Sequence, residues 1–192
     1  MGIEFELKYR ATPQVQQALL TAINGTRQQY RMETTYYDTP SNSLSQRYYT
    51  LRRRMENDTS VCTLKYPVQD QGRGEFELEC DTIEKAIPEL GRLSGIDLMT
   101  LTQEGVVPVC SAAFDRTAIT FTWQDATLEM ALDQGVLSGG GQTIPLCEVE
   151  IELKEGSREA ARQCGAFLAA AYGLIPEARS KFRRALALAK GE

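Results

Sequence analysis

Carboxylates recur at even spacing in several stretches of the chain: Glu4 and Glu6; Glu75, Glu77 and Glu79; Glu129 and Asp133; and Glu148, Glu150 and Glu152. Bases recur the same way elsewhere. Arg52 and Arg54 stand two residues apart, and Lys65, Arg73 and Arg116 sit on other alternating stretches. Even spacing places side chains on one face of a strand. A row of acids on one open sheet would repel itself, so rows of opposite sign on different strands have to face one another. Carboxylates without imidazole ligands favour hard cations, Mg²⁺ or Mn²⁺. Arg and Lys around such ions neutralise a phosphoryl group in transfer. The chemistry these residues suit is that of an oligophosphate handled together with metal.

Composition narrows the alternatives. The 192 residues include no histidine, which excludes a Ser-His-Asp triad, a Cys-His dyad, His-ligated zinc and imidazole acid–base work. The formal net charge of -5 argues against a general nucleic-acid binder. Of the 21 basic residues 15 are Arg, whose planar fork suits phosphate and carboxylate. Five cysteines in no CxxC spacing read as reduced thiols packed on apolar faces. An N-terminus without an apolar core segment and the lack of any long apolar run point to a cytoplasmic protein that does not cross a membrane.

The elements that must position these charges follow from periodicity. Residues 3–10 alternate as one strand, with Ile3, Phe5, Leu7 and Tyr9 opposite Glu4, Glu6, Lys8 and Arg10. Further strands are expected at 28–38, 47–56, 59–67, 73–81, 106–123, 126–133 and 146–154, with Ser138-Gly-Gly-Gly as a flexible loop. Helices are expected at 12–24, in pieces over 82–105 broken by Pro88, Gly91 and Gly95, at 157–173 and at 180–189. Arg183-Arg184 reads as a helix-end charge pair. Most strands carry one apolar and one charged face. The economical geometry is an α+β fold built on a closed antiparallel eight-stranded β-barrel, a tunnel with a charged lumen and helices packed on the outside. Buried charges of both signs need partners, and two divalent cations with an anion would satisfy them.

The charged blocks, taken in order, resemble the CYTH superfamily, the triphosphate tunnel metalloenzymes. Glu4-Phe-Glu-Leu-Lys8 fits its N-terminal Glu-x-Glu-x-Lys signature. Tyr36-Tyr-Asp-Thr-Pro40, Leu51-Arg-Arg-Arg54 and Thr63-Leu-Lys65 look like its second block, and Arg73-Gly-Glu75-Phe-Glu77 like its Arg-x-Glu strand. Ala131-Leu-Asp-Gln-Gly135, Cys147-Glu-Val-Glu-Ile-Glu-Leu153 and Ser180-Lys181 resemble its C-terminal blocks. The likeness runs over essentially the whole of residues 1–192, read as one domain, and is nearest to the bacterial inorganic triphosphatase branch, here without the CHAD domain often fused to it.

The resemblance implies roles. Glu4, Glu6, Asp133, Glu148, Glu150 and, with less support, Glu152 would hold two Mg²⁺ or Mn²⁺ ions. Lys8, Arg52, Arg54, Lys65, Arg73, Arg116 and Lys181 would bind triphosphate oxygens. Glu75 and Glu129 would orient bases or water, with Glu77 a further member of its strand. Lys8 with Tyr36 would act at the scissile bond, Tyr30 and Tyr37 competing for the tyrosine role. Phe114 stands where many members carry a lysine. The implied activity is metal-dependent hydrolysis of inorganic triphosphate. The alternatives are a class IV-type adenylate cyclase, a thiamine or nucleoside triphosphatase, or a non-catalytic polyphosphate-binding module. The partner expected is a small anionic substrate, with no nucleic acid and no membrane, and with room for a homodimer.

Overall fold

The computed structural model describes residues 2–68 and 72–192, the side chains of 2–4 and 72 lying outside that description. The N-terminal alternation is divided at Phe5 into β1 (Gly2–Glu4) and β2 (Glu6–Arg10). Then follow α1 (Pro13–Ala22), β3 (Thr26–Asp38), β4 (Thr50–Glu56), β5 (Thr59–Val68) and β6 (Gly72–Glu79). Next are α2 (Ile83–Ser94), α3 (Leu98–Leu101), β7 (Val107–Trp123), β8 (Ala126–Gly139) and β9 (Gln142–Glu155). The chain finishes with α4 (Arg158–Tyr172), β10 (Ile175–Pro176) and α5 (Lys181–Lys190).

The expected closed eight-stranded barrel is not formed. The described strands make one antiparallel sheet of ten, in the order β1-β6-β5-β4-β3-β7-β8-β9-β2-β10, with β1 and β10 as its two edges. The N-terminal segment changes partner where the barrel would need one uninterrupted ladder. Gly2–Glu4 pair with β6, Glu6–Arg10 pair with β9, and Phe5 between them only accepts from the Leu153 N–H at 3.0 Å. Alternation determines which face each residue takes, while barrel closure depends on registers and stagger that alternation does not encode.

The two-faced reading of the strands holds. One face is apolar and carries four helices. Leu19 of α1 and Ala161, Cys164 and Leu168 of α4 pack with Ile119, Leu128, Met130, Val149 and Ile151. Ile83, Ile87 and Leu90 of α2 and Leu98 of α3 pack with Leu51, Cys62 and Leu64. The other face is charged, and there the helix expectation is revised. Phe182 and Ala185 of α5 pack against Met32, Tyr36, Ala112, Phe114, Leu137 and Leu146, on the charged side of the sheet. Those apolar residues interrupt the charge along β3, β7 and β8 and give α5 its seat.

Local chemistry explains the ends of these elements. The side chains of Thr12, Thr82, Ser157 and Ser180 each accept a backbone N–H of the first turn of α1, α2, α4 and α5, satisfying donors that a helix leaves open. Helix α2 runs through Pro88 and Gly91, at which breaks were expected, and stops at Gly95 with φ +70°. Its four buried residues, Ile83, Ala86, Ile87 and Leu90, outweigh the local proline cost. The triglycine stretch is a hairpin turn instead of a loose loop. Gly140 and Gly141 take φ of +58° and +75°, the left-handed pair that a two-residue turn between twisted strands requires.

All five cysteines are free thiols. Burial pushes the Cys62 and Cys164 thiols up to about 11 and Cys110 up to about 12. The thiolate is the reactive form. At pH 8, iodoacetamide is therefore expected to modify Cys80 and Cys147 before these three in the native protein, and all five at similar rates in urea. Mass spectrometry of timed samples checks this; early loss of the Cys164 thiol would contradict the burial.

Candidate active site

The charged face bends round a cavity of about 1560 Å³. Strand register sets out its floor. Glu6, Glu152 and Glu129 lie directly opposite one another on β2, β9 and β8. One step along, Lys8 faces Glu150. One step further, Glu148 faces Asp133, which faces Arg116, which faces Tyr30. On the other wall Tyr36 faces Arg52, which faces Thr63, which faces Glu77, and Thr50 faces Lys65, which faces Glu75.

Beneath α5 the charges form a closed knot. Asp133, Glu148 and Glu150 bring carboxylate oxygens within 4.8 Å of one another. The Lys181 Nζ lies 2.7 Å from Asp133 and 2.8 Å from Glu150, and also pairs with Glu148. Arg116 donates twice to Asp133, at 2.7 Å each, and once to Glu150 at 2.6 Å. Arg184 donates to Glu148. Three acids thus meet three bases, and Asp133 and Glu148 are wholly buried. The knot is braced from the apolar side. The buried Gln16 amide on α1 donates to the main-chain carbonyls of Asp133 and Glu148 at 3.0 and 2.9 Å.

The titration behaviour follows from this packing. Burial opposes charge on Lys181, but Asp133, Glu150 and Glu148 outweigh it and hold its pKa far above the lysine range. Burial likewise opposes the Arg116 charge, and Asp133 and Glu150 overcome it. Glu150 is buried as well, yet Lys181, Arg116 and Lys8 hold it well below the usual carboxylate value. Glu148 goes the other way, because burial and the neighbouring Glu150 outweigh Lys181 and Arg184.

The rest of the cavity is more open. Glu6, Glu129 and Glu152 have side chains 24%, 21% and 29% exposed. Lys8 pairs with Glu6 at 3.0 Å, and Lys154 with Glu152 at 2.7 Å and Glu129 at 3.4 Å. Burial opposes the Lys8 charge, but Glu150, Glu6 and Glu148 keep its pKa raised. On the opposite wall Arg52 meets Glu75 at 3.3 Å and Glu77 at 3.1 Å, and Lys65 meets Glu75 at 3.1 Å. Arg54 has weaker compensation. It donates to Thr34 at 3.2 Å and Glu56 at 3.3 Å, and burial, followed by the positive charges of Arg52 and Arg116, lowers its pKa. The buried Nε atoms of Arg52 and Arg184 have no hydrogen-bond partner among the described residues. Buried donors left open in this way suit an anion.

The structure brings Glu6, Lys8, Tyr36, Arg52, Arg54 and Lys65 to one cavity. Arg73, Glu75, Glu77, Arg116, Glu129, Glu150, Glu152 and Lys181 line it too. Asp133 and Glu148 lie behind this lining in the knot, and the Glu4 side chain lies outside the described residues. Tyr36 packs on Phe182 with ring centroids 5.1 Å apart and stands opposite Arg52 in the pairing of β3 with β4. Sequence reasoning missed Lys154, which shares the parity of Glu150 and Glu152 and was legible on that ground. It also missed Arg184, which is no helix-end charge but is buried one turn after Lys181. Arg183 lies on the cavity wall as well. Glu6, Glu152 and Glu129 add an open row of oxygen donors on adjacent strands, without histidine or thiol, while among the described residues the carboxylates close enough to share one hard cation are Asp133, Glu148 and Glu150. The knot offers oxygens of the same kind, already matched by three side-chain cations.

A family model described as CYTH domain matches residues 2–186. An inorganic triphosphatase of Haemophilus influenzae is 31% identical over 161 residues, 80% of this chain and 46% of that protein, so the chain spans about half the length of this curated relative. Two solved structures share the fold. The HpAC1 protein from Hippeastrum, described as revealing a dominant triphosphatase activity, has a TM-score of 0.67 and 18% identity, with 98% of this chain and 96% of that one covered. The PH1819 protein of Pyrococcus horikoshii has a TM-score of 0.65 and 23% identity, with 97% and 99% covered.

Proposed function

The chain belongs to the CYTH domain family, and on that premise we propose that it hydrolyses the terminal phosphoanhydride of inorganic triphosphate in the charged cavity, with a divalent cation. The observation that carries this is the buried guanidinium group of Arg54, weakly compensated, beside that of Arg52 in the same cavity as a row of carboxylates. The name of the Haemophilus relative supports the substrate.

Arg52, Arg54, Lys65, Arg73 and Arg116 bind and orient the phosphate oxygens, and Arg54, with least acid around it, takes the most charge. Glu6, Glu152 and Glu129, with Glu150 at the inner end, would hold Mg²⁺ or Mn²⁺. When bound, the cation supplies Lewis-acid neutralisation of phosphate charge. Lys8 stays an ammonium because its pKa is raised, so it stabilises charge on the leaving diphosphate and does not act as a base. Glu75 is engaged by Arg52 and Lys65 and fixes those two bases. Glu129 pairs with Lys154 at 3.4 Å and orients the attacking water in line with the terminal phosphorus. The Tyr36 phenol completes the Arg52–Arg54 clamp. Lys181 has three N–H donors, and all of them meet carboxylates; it is a positioning residue for Asp133 and Glu150.

The test is direct. The purified chain with tripolyphosphate is expected to release phosphate with Mg²⁺ or Mn²⁺ and to stop when EDTA is added in excess. Absence of phosphate release with either ion at any pH between 6 and 9 would remove this reading.

A further inference from the structure

A buried amide stands on the apolar side of the sheet, directly behind the knot. Helix α1 buries two residues, Gln16 and Leu19, which are three apart and so share one face of the helix. Leu19 belongs to the core with Ile119, Leu128 and Met130. Gln16 is buried on the same face, where a leucine would fill a similar volume with no amide to desolvate. Its Nε2 donates to the Asp133 carbonyl at 3.0 Å and to the Glu148 carbonyl at 2.9 Å. One amide thus spends both of its N–H donors on two residues that lie opposite each other in the pairing of β8 with β9.

The sheet itself supplies partners for these carbonyls. Strand β8 lies between β7 and β9, and β9 between β8 and β2, with no register shift at Asp133 or Glu148. Main-chain groups of inner strands are engaged by the ladder, so the amide adds a further contact and ties two strands together at this one pair. In front of that tie the Asp133, Glu148 and Glu150 carboxylates bring oxygens within 4.8 Å of one another. The same helix is fastened to the next strand as well. It follows β2, which carries Lys8, and the intervening Ala11 N–H donates to the Cys147 carbonyl of β9 at 3.0 Å.

We propose that Gln16 is a positioning residue. From the apolar side it fixes the main-chain separation of Asp133 and Glu148, and with it the spacing at which their carboxylates and that of Glu150 take a hard divalent cation. This deepens the triphosphatase reading above and rests on it. Groups that orient cation ligands from behind commonly change metal affinity or turnover by about 10–100-fold when removed.

Gln16→Leu keeps the volume and removes both donors. Without substrate, its Mn²⁺ affinity, followed by the EPR signal of the free ion, is expected to weaken about tenfold. At saturating Mn²⁺, kcat for tripolyphosphate should fall about tenfold while KM stays within about twofold of wild type, because Arg52, Arg54 and Lys65 stand on β4 and β5. The same change at the exposed neighbour Gln17 should alter none of these. The urea midpoint of Gln16→Leu should match or exceed that of wild type. Wild-type Mn²⁺ affinity and kcat in folded Gln16→Leu, or a loss that cooling restores together with the fold, overturns the role and leaves the triphosphatase reading standing. If Gln16→Leu does not fold, Gln16→Met, unbranched and of similar length, carries the same measurements. A wild type that releases no phosphate overturns the triphosphatase reading, and the Mn²⁺ titration then still decides the role of Gln16. A wild type that binds no Mn²⁺ overturns both.

Discussion

Replacing Lys181 with methionine is expected to destabilise the chain by about 3–5 kcal/mol in urea unfolding at pH 7. The ammonium sits among Asp133, Glu148 and Glu150, and its loss leaves three buried carboxylates with two guanidinium groups. The variant would take up a proton at the knot in place of the missing charge. Adding Glu148→Gln to Lys181→Met removes one acid and is expected to recover part of the loss, a coupling that a double-mutant cycle measures. The pH dependence has a definite sign. The folded pKa of Lys181 is raised, so its contribution is complete below the ordinary lysine value and is lost only as pH rises through the raised one. The folded pKa of Glu150 is depressed. Its contribution is present above the ordinary carboxylate value of about 4.3 and fades as pH falls towards the folded value. The stability of the wild type should be flat from about pH 5 to 9, while the proton held at the variant's knot is lost as pH rises, so the difference should widen from about pH 5 upward and narrow below about pH 4. A loss under about 1 kcal/mol at neutral pH would mean that the ion pairs contribute no more than exposed ones do.

Arg54→Met is expected to give the opposite balance. Activity on tripolyphosphate should fall by about 10²–10³ in kcat/KM, the usual loss when one charge-stabilising donor is removed from a dry site. Stability without ligand should hold or rise by about 1 kcal/mol. The reason is the environment of the guanidinium. Burial and the nearby Arg52 and Arg116 lower its pKa, so its charge works against the empty fold and is balanced only when an anion arrives. Calorimetry of the variant and the wild type, each with and without tripolyphosphate, reads both halves at once. The wild type should gain more from the anion. A variant that melts earlier than wild type yet turns over at the wild-type rate would reverse the assignment.

Much of the site was legible because side-chain parity in a strand is strict. Arg52 and Arg54 share a face, as do Glu148, Glu150 and Glu152, and no tertiary detail can undo that. Closure was not legible. Residues 3–10 read as a single strand, and nothing in their pattern says that the chain changes partner at Phe5. The seat of α5 was not legible either. Ser180 and the following residues announce a helix, but which side of the sheet it covers depends on Phe182 meeting Tyr36 and Phe114, residues far away in sequence. Arg184 was misread for the same reason, since a basic residue near the end of a helix looks solvated until its burial is known. Lys181 carried no local signal at all. Only the ordered likeness of the charged blocks pointed to it.

The divided N-terminal segment also has a bearing on how the molecule is made. Lys8 lies opposite Glu150 and Glu6 opposite Glu152, while Gly2 reaches Glu75 of β6. Neither pairing can form until its partner strand has emerged, and pairings of such sequence separation are slow to close. The ladders from β3 to β9 close shorter loops, so the β2–β9 ladder is expected to form after them. The Lys8 ammonium therefore reaches Glu150 only once that long-range ladder has closed.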